Sequence, residues 1–317
     1  MATNIAVVGG INIDLVTRAS HIPRPGETVI GGDLRTIPGG KGANQAVAAA
    51  RLGAHVSMIG RLGDDTFAPQ LRQNLAAADV DLTYVFESVD SASGVALIVV
   101  DEAGENSIVV ALGANARITP ADVEAAAAAI AASDALLLQL EIPLEPVLRA
   151  AELGREHGVK VILNPAPARA LPAELLALVD ILVPNETETA QLSGMPTGST
   201  AELEAAASRL RDLGAGVVIL TLGQRGALLA QEDGTRRYPA FEVDRVVDTT
   251  AAGDAFMGGL ATAISEGKDL NEALPWANAT GALAVTRAGA QPSLPTRQEV
   301  KALLAGATRE QLQGVQL

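Results

Sequence analysis

The 317-residue chain has no cysteine, one tryptophan and three histidines, and Phe, Trp and Tyr together make up 2% of it. Without cysteine there are no disulfides, no thiolate catalysis and no cysteine zinc sites, a composition compatible with a reducing cytoplasm. His21, His55 and His157 lie far apart in sequence and fit no metal-ligand spacing, so surface or packing roles are expected for them. So few aromatic rings make stacking platforms for single-stranded nucleic acid improbable, and an adenine ring would lie between aliphatic side chains. Positive charge is also short: 23 basic residues against 37 acidic ones give a net charge of -14, with no polybasic run. Such a surface repels nucleic acid and anionic membranes, so a phosphorylated ligand must be held by local backbone donors rather than by the overall field. No apolar run reaches membrane-spanning length, and the 48% hydrophobic content is raised by alanine in helices such as EAAAAAIAA at 124–132. NIAVVGG at 4–10 is too short for a signal-peptide core and reads as a buried strand, so a cytoplasmic protein is expected.

What is present is alternation. From residue 54 onward, apolar strand-like runs alternate with amphipathic helices, which argues for βαβ units and a mainly parallel sheet covered on both faces. The expectation is an α/β fold, a Rossmann-like three-layer α/β/α domain spanning 1–317, with core strands at 4–10, 54–60, 134–140, 159–163, 179–183 and 216–221. Thr119-Pro120 and the pair Ser199 and Glu202 mark helix starts. Two regions break the alternation, 15–37 and 90–113; in the second, GVALIVV and NSIVVAL flank turn residues Asp101 to Glu105 as a hairpin. Strands without crossover helices suit a small sheet standing apart. The tail GATREQLQGVQL from Gly306 is expected to be frayed or loosely docked.

Two glycine-rich turns carry the chemistry. In Asp248-Thr249-Thr250-Ala251-Ala252-Gly253-Asp254-Ala255-Phe256, small residues lead into a helical segment and end on one acid. A helix starting near Ala252 would point unpaired amides and the positive end of its dipole outward, toward a phosphate. Asp254 in that first turn is well placed to accept the proton of an attacking hydroxyl. Asp and Thr also cap helices for stability alone, and this stretch by itself leaves that role open. The second turn is Gly39-Gly40-Lys41-Gly42-Ala43-Asn44, followed by an Ala-rich helix with Gly53 as its terminal cap. Three glycines in four positions allow close backbone approach, and Lys41 and Asn44 supply donors suited to hydroxyls. The run is not a Walker A loop.

The segments VVGGINIDL at 7–15, PGETV at 25–29, PGGKGANQAVAAARLGA at 38–54 and GDD at 63–65 are joined further on by GVALIVVDEAGEN at 94–106, QLE at 139–141 and NPAPAR at 164–169. PNETE at 184–188, TLGQRG at 221–226, DTTAAGDAF at 248–256 and GAQPS at 289–293 complete the series. In these segments, over nearly its whole length, the chain resembles the ribokinase (PfkB-type) family of carbohydrate kinases. The resemblance implies a ribokinase-like fold in which the small sheet is a lid over a sugar site, one that in this family can pair with a second subunit to form a homodimer. It implies transfer of the γ-phosphoryl group of ATP to the primary hydroxyl of D-ribose, with Asp254 as base and residues Ala251, Ala252, Gly253 and Asp254 as anion hole. Asn12, Ile13, Asp14, Gly40, Lys41, Gly42, Ala43, Asn44, Glu141 and Asp254 would meet the sugar.

For the nucleotide, the resemblance implies Asn185 and Glu188, which serve Mg²⁺ and the phosphates through water. The turn Thr221, Leu222, Gly223, Gln224, Arg225 and Gly226 would line the cleft, with Gly253 at the phosphates and Asn278 beside adenine. Without the family, Asn185 and Glu188 read as a capping-box variant and TLGQRG as a hairpin turn. Asp248, Thr250, Ala284, Arg287, Gly289 and Ser293 match positions that hold K⁺, mostly through backbone carbonyls. Ala251 departs from the pattern, since many relatives have glycine there, and its β-carbon restricts the turn. Alternatives are a sibling kinase for deoxyribose, fructose or adenosine, and a binding protein that kept the fold and lost transfer. A dehydrogenase is a third, but VVGGINID lacks GxGxxG.

Overall fold

Strand β1 (Asn4–Val8) has no polar face: Ile5 and Val7 enter one hydrophobic core while Ala6 and Val8 enter another. A strand of this kind must be covered twice. The computed structural model, which describes residues 3–317, provides that cover with helices on both sides of a ten-stranded sheet. Along the chain come β2 (Asn12–Arg18), β3 (Arg35–Gly39), β4 (His55–Gly63), β5 (Val80–Ser88), β6 (Gly94–Val100) and β7 (Asn106–Ala111). They are followed by β8 (Ala135–Leu138), β9 (Lys160–Leu163), β10 (Ile181–Leu182), β11 (Val217–Thr221), β12 (Ala227–Gln231), β13 (Gly234–Tyr238) and β14 (Val315–Gln316). The large sheet runs β14-β13-β12-β11-β10-β9-β8-β1-β4-β5, parallel from β11 to β5 and antiparallel through its last three strands.

All six strands expected from the sequence are present, and the α/β class with a mainly parallel sheet holds. Three features differ. β5 pairs parallel to β4 at one edge, the hairpin β12–β13 extends the other, and the tail docks as a short helix, Arg309–Gln313, followed by β14 against β13. The tail is held by Arg236, whose Nη1 donates to the Gln313 carbonyl at 3.1 Å, so it closes the sheet edge instead of fraying. The helix starts read from sequence are capped as expected. Thr119 accepts from the Asp122 amide, and Ser199 and Glu202 cap each other. Among the described residues no helix is long and apolar enough to cross a membrane.

A second sheet, ordered β3-β2-β6-β7, carries the 90–113 hairpin with the register Val95 to Ala111. Its central strand β2 begins four residues after β1 ends, so Asn12 and Asp14 sit at the root of this sheet rather than in a free turn. Asn12 lies opposite Gly39 on one side and Gly94 on the other. The outer strands remain apolar yet uncovered: Leu97, Ile108, Val109 and Val110 are 41–62% exposed.

Candidate active site

The chain leaves β1 toward β4 and β5 and later returns to β8 on the other side of β1, so the connections diverge between β1 and β8. Crevices form at such reversals, beyond the carboxyl ends of the strands. Gly9–Asn12 leave β1 here and Gln139–Glu141 leave β8. The helix Lys41–Arg51 forms a third wall and the helix Ala252–Ser265 a fourth, packed on each other. Glycine decides the approach of the third wall: a β-carbon on Gly42 would stand 2.7 Å from the Gly9 carbonyl carbon. The helix can therefore dock directly on the β1 turn, where the Ala43 amide donates to the Gly10 carbonyl at 3.1 Å.

Buried polar groups converge on that crevice. Asn44 Nδ2 donates to Asp254 Oδ2 at 2.9 Å, while the Lys41 amide and Asn12 Nδ2 donate to Glu141 Oε2 at 2.8 and 3.3 Å. Asp14, Glu141, Glu188 and Asp254 surround the partly buried Lys41 ammonium. Burial works to lower the Lys41 pKa, but the four acids outweigh it and the ammonium is favoured. Asp14 is pushed up to about 7, first by burial and then by repulsion from Glu141 and Asp254. Glu141 and Glu188 are also raised, burial being the largest cause for each. One cation against four acids leaves a pocket rich in acceptors, and Asn44 Oδ1 adds another, buried without a donor. Hydroxyl groups match that inventory. Ile13 turns its side chain into the core, so only its backbone faces this site, and Gly40, at φ +88°, forms the N-terminal cap of the third wall.

At the tip of the fourth wall, Ala251 is left-handed at φ +61°, and the helix begins at Ala252. The sequence suggested the turn Ala251 to Asp254 as an anion hole, with the Ala252, Gly253 and Asp254 amides as its donors. The structure reduces these to two, because the Ala252 amide donates to the Thr249 carbonyl at 3.2 Å. Among the described residues neither the Gly253 nor the Asp254 amide has a protein acceptor, and a β-carbon on the exposed Gly253 would meet nothing within 4 Å. Two unpartnered amides at the positive end of a helix, with a buried carboxylate in the same turn, can bind an anion and accept a proton.

Across the tip, Asn185 and Glu188 form a complete capping box, Glu188 Oε2 accepting from the Asn185 amide at 2.8 Å and Asn185 Oδ1 accepting from the Glu188 amide at 2.8 Å. This uses one oxygen of Glu188. Thr221 bridges to Asn185 and donates its amide to the Pro184 carbonyl at 3.0 Å. TLGQRG is a hairpin turn joining β11 to β12: Leu222 is buried in the core and its amide closes on the Gly226 carbonyl at 2.8 Å. Gly223, Gln224 and Arg225 stand in solvent, with Arg225 paired to Glu186. The Asn278 amide group donates to the carbonyls of Tyr238 and Pro239 at 3.1 and 3.3 Å, next to Gly226. Its donors therefore brace backbone.

The positions matched to a cation are also brought together. Asp248 accepts from the Thr250 amide at 2.9 Å and from the Gly289 amide at 2.8 Å, and the Val285 carbonyl just beyond Ala284 accepts from Val247 at 2.8 Å. Burial alone would raise the Asp248 carboxyl, but these hydrogen bonds and nearby Arg18 outweigh it and hold it low. Among the described residues, no backbone donor reaches the carbonyls of Thr250, Arg287, Gly289 and Ser293. Arg287 directs its guanidinium away, onto Glu299.

Four site residues escaped the sequence reading: Gln45, Asn115, Gln139 and Asn164. Asn115 is fully buried and donates to Asn12 Oδ1 at 2.7 Å, which turns the Asn12 amide group toward Glu141. Gln139 interrupts the apolar run ALLLQL, and a lone amide there was the available signal. A cavity of about 660 Å³ opens at the opposite, amino-terminal end of β9–β11, where Lys160 is paired with Asp180 and Lys268 with Glu266. None of the converging acids lines it.

Residues 2–297 match the pfkB family of carbohydrate kinases. The chain belongs to that family. It is a kinase, a phosphotransferase, and it is 43% identical over 307 residues to the ribokinase of Haemophilus influenzae, covering 97% of this chain and 100% of that one. The deoxyribokinase of Salmonella typhi is 40% identical over 303 residues, covering 95% and 99%. Among solved structures, Arabidopsis thaliana ribokinase complexed with ribose and ATP superposes with a TM-score of 0.89 at 34% identity, over 97% of this chain and 100% of that one.

Proposed function

We propose that this kinase transfers the γ-phosphoryl group of ATP to the 5-hydroxyl of D-ribose, giving ribose 5-phosphate and ADP. The observation that carries the reading is the buried Asp254 carboxylate in the first turn of a helix whose Gly253 and Asp254 amides are unpartnered. Asp254 takes the proton of the primary hydroxyl as its oxygen bonds to phosphorus, and the bond to the ADP oxygen breaks in line. The two free amides stabilise charge on the moving group, which asks mainly for positioning and electrostatics. Asn12, Asp14, Lys41, Asn44 and Glu141 hold the sugar hydroxyls, and the β2–β3–β6–β7 sheet closes over them to exclude water.

The turn 221–226 and Asn278 form the wall beside the nucleotide. Glu188 is buried and retains one oxygen outside its capping box, so with Asn185 it would hold Mg²⁺ through water, an ion that neutralises phosphate charge. The unpartnered carbonyls of Thr250, Arg287, Gly289 and Ser293, with Asp248, suit K⁺, which would brace the loop leading to Ala251. A second copy of the chain would cover the exposed Leu97, Ile108, Val109 and Val110, making a homodimer through the lid.

A second reading, 2-deoxyribose as acceptor, is favoured by the Salmonella relative. An ADP-release assay over pentoses, hexoses and nucleosides, with and without K⁺ and Mg²⁺, tests both. Ribose is expected to give the highest kcat/KM. A preference for 2-deoxyribose or a nucleoside would replace ribose as the acceptor, and no turnover with any acceptor would remove the catalytic reading.

A further inference from the structure

Two glutamines that the mechanism above does not use lie directly behind the base. Gln45 and Gln139 are both 0% exposed. Gln45 Nε2 donates to Asp254 Oδ1 at 3.1 Å, and Gln139 Nε2 donates to Gln45 Oε1 at 2.7 Å. The directions follow from chemistry. An ionised carboxylate only accepts, so Gln45 must present its NH₂ to Asp254, which turns its carbonyl to Gln139 and forces Gln139 to present its own NH₂. The chain ends there. Gln139 Oε1 is buried without a donor, against Gly9, where a β-carbon would come within 1.9 Å of it. An orphaned acceptor is a burden that Leu or Met at the same position would not carry, so packing does not explain the glutamine. Gln45 Nε2 also lies 3.5 Å from Asn164 Oδ1, and Asn164 is itself fixed by donating to the Val183 carbonyl at 2.9 Å.

We propose that Gln139 and Gln45 are positioning residues: a relay of two amides that fixes the plane of the Asp254 carboxylate. The inference rests on the reading of Asp254 as base. With Asn44 on the other carboxylate oxygen, each oxygen accepts one amide, and the lone pair each keeps for the sugar hydroxyl has a fixed direction. The charged groups around Asp254 cannot do this. Lys41 is the one cation among them, against Asp14 on β2, Glu141 beyond β8 and Glu188 in the helix after β10. The hydrogen bonds to the carboxylate come instead from neutral amides, Asn44 and Gln45.

The test is a set of variants assayed over pH, with Asp254→Asn as reference. Gln45→Met is expected to lower kcat about tenfold with the KM for ribose within about threefold, because a donor that aims the carboxylate is lost. Gln139→Met should do the same to a smaller extent, and the double variant should be no worse in kcat than Gln45→Met alone, since Gln139 acts only through Gln45. Should packing at Gln45 fail, Gln139→Glu reads the relay independently. Protonated, it still donates to Gln45; ionised, it cannot, so its kcat relative to the parent should fall as pH rises. Lowered Tm with parental kcat in the Met variants, or a flat pH ratio for Gln139→Glu, would overturn the relay. Parental turnover in Asp254→Asn would overturn the base itself, and the relay with it.

Discussion

On the side of the Ala252 helix tip proposed for the sugar, Asn12, Asp14, Asn44, Glu141 and Asp254 are each 7% exposed or less, with Asn12 bonded to Glu141 and Asn44 to Asp254. On the side proposed for the nucleotide, Gly223, Gln224 and Arg225 stand in solvent, Leu222 faces the core, and Asn278 uses its donors on the backbone of Tyr238 and Pro239. One half is a fixed array of polar side chains and the other is mostly shaped backbone. The contrast follows from the demands of the two ligands. A small polyol offers little but hydroxyl positions, so discriminating it requires donors and acceptors held in place. A nucleotide offers a large surface and phosphates, which backbone amides and a helix end accommodate. Fixing polar groups has a stability cost, seen in the raised Asp14, Glu141 and Glu188 carboxyls.

The sharpest attempt to break this contrast removes the one charge both halves share. Asp254→Asn should cut kcat by about 10²-fold or more while the KM for ATP stays within about threefold. Initial rates over both substrates decide it, and near-parental turnover would mean the proton goes elsewhere.

Asp14 separates the halves next. Its folded-state pKa of about 7 lies above the ordinary 3.8, so its contribution to stability is present below about pH 4 and is lost as pH rises through about 7. Asp14→Asn should therefore stabilise the protein more, relative to the parent, at pH 8 than at pH 5, by on the order of 2 kcal/mol of unfolding free energy. The same change should raise the KM for ribose about tenfold and leave that for ATP unaltered. In the parent, the KM for ribose should fall as pH rises through about 7, as the carboxylate becomes available to accept hydroxyls. A Tm difference independent of pH would show that Asp14 is not strained by burial.

Glu188→Gln probes the other half with a built-in control. Glutamine serves a capping box as well as glutamate, so Tm should change by less than about 0.5 kcal/mol equivalent. Turnover should fall about tenfold, with more Mg²⁺ needed for half-maximal rate. Loss of Tm with unchanged Mg²⁺ dependence would return Glu188 to a helix cap.

Much of this arrangement could be read from the chain. β1, β4, β8, β9 and β11 announce themselves as apolar runs between turn residues, and the lid hairpin as two such runs around Asp101–Glu105. Strands with one wet face did not: β5 carries Asp81, Thr83 and Glu87 among its apolar residues, and β13 reads GTRRY. Their pattern gains meaning only from the edge they pair with. The site divides in the same way. Asp254 and Lys41 sit in glycine-rich turns that are unusual by themselves, whereas Gln45, Gln139 and Asn115 are ordinary amides until β1, β8 and the Lys41 helix bring them within bonding distance. Nor could composition show that the Ala252 amide would turn back onto Thr249.

The smallest expected effect tests how the two halves are joined. Ala251 holds φ +61° at the start of the helix that both halves share, one of three non-glycine residues with positive φ among the described residues. The left-handed region costs an L-residue about 1 kcal/mol, and glycine would remove that strain. It would also enlarge the unfolded ensemble by about 0.4–1 kcal/mol, so the two terms nearly cancel. Ala251→Gly should therefore shift stability by about 0.5 kcal/mol or less in either direction and leave kcat within about twofold. Ala251→Val, with its branched β-carbon in the same conformation, should lower both Tm and turnover. A tenfold loss of kcat in Ala251→Gly at parental Tm would mean that stiffness of this corner, and not only its shape, keeps the free amides aimed at the moving phosphoryl group.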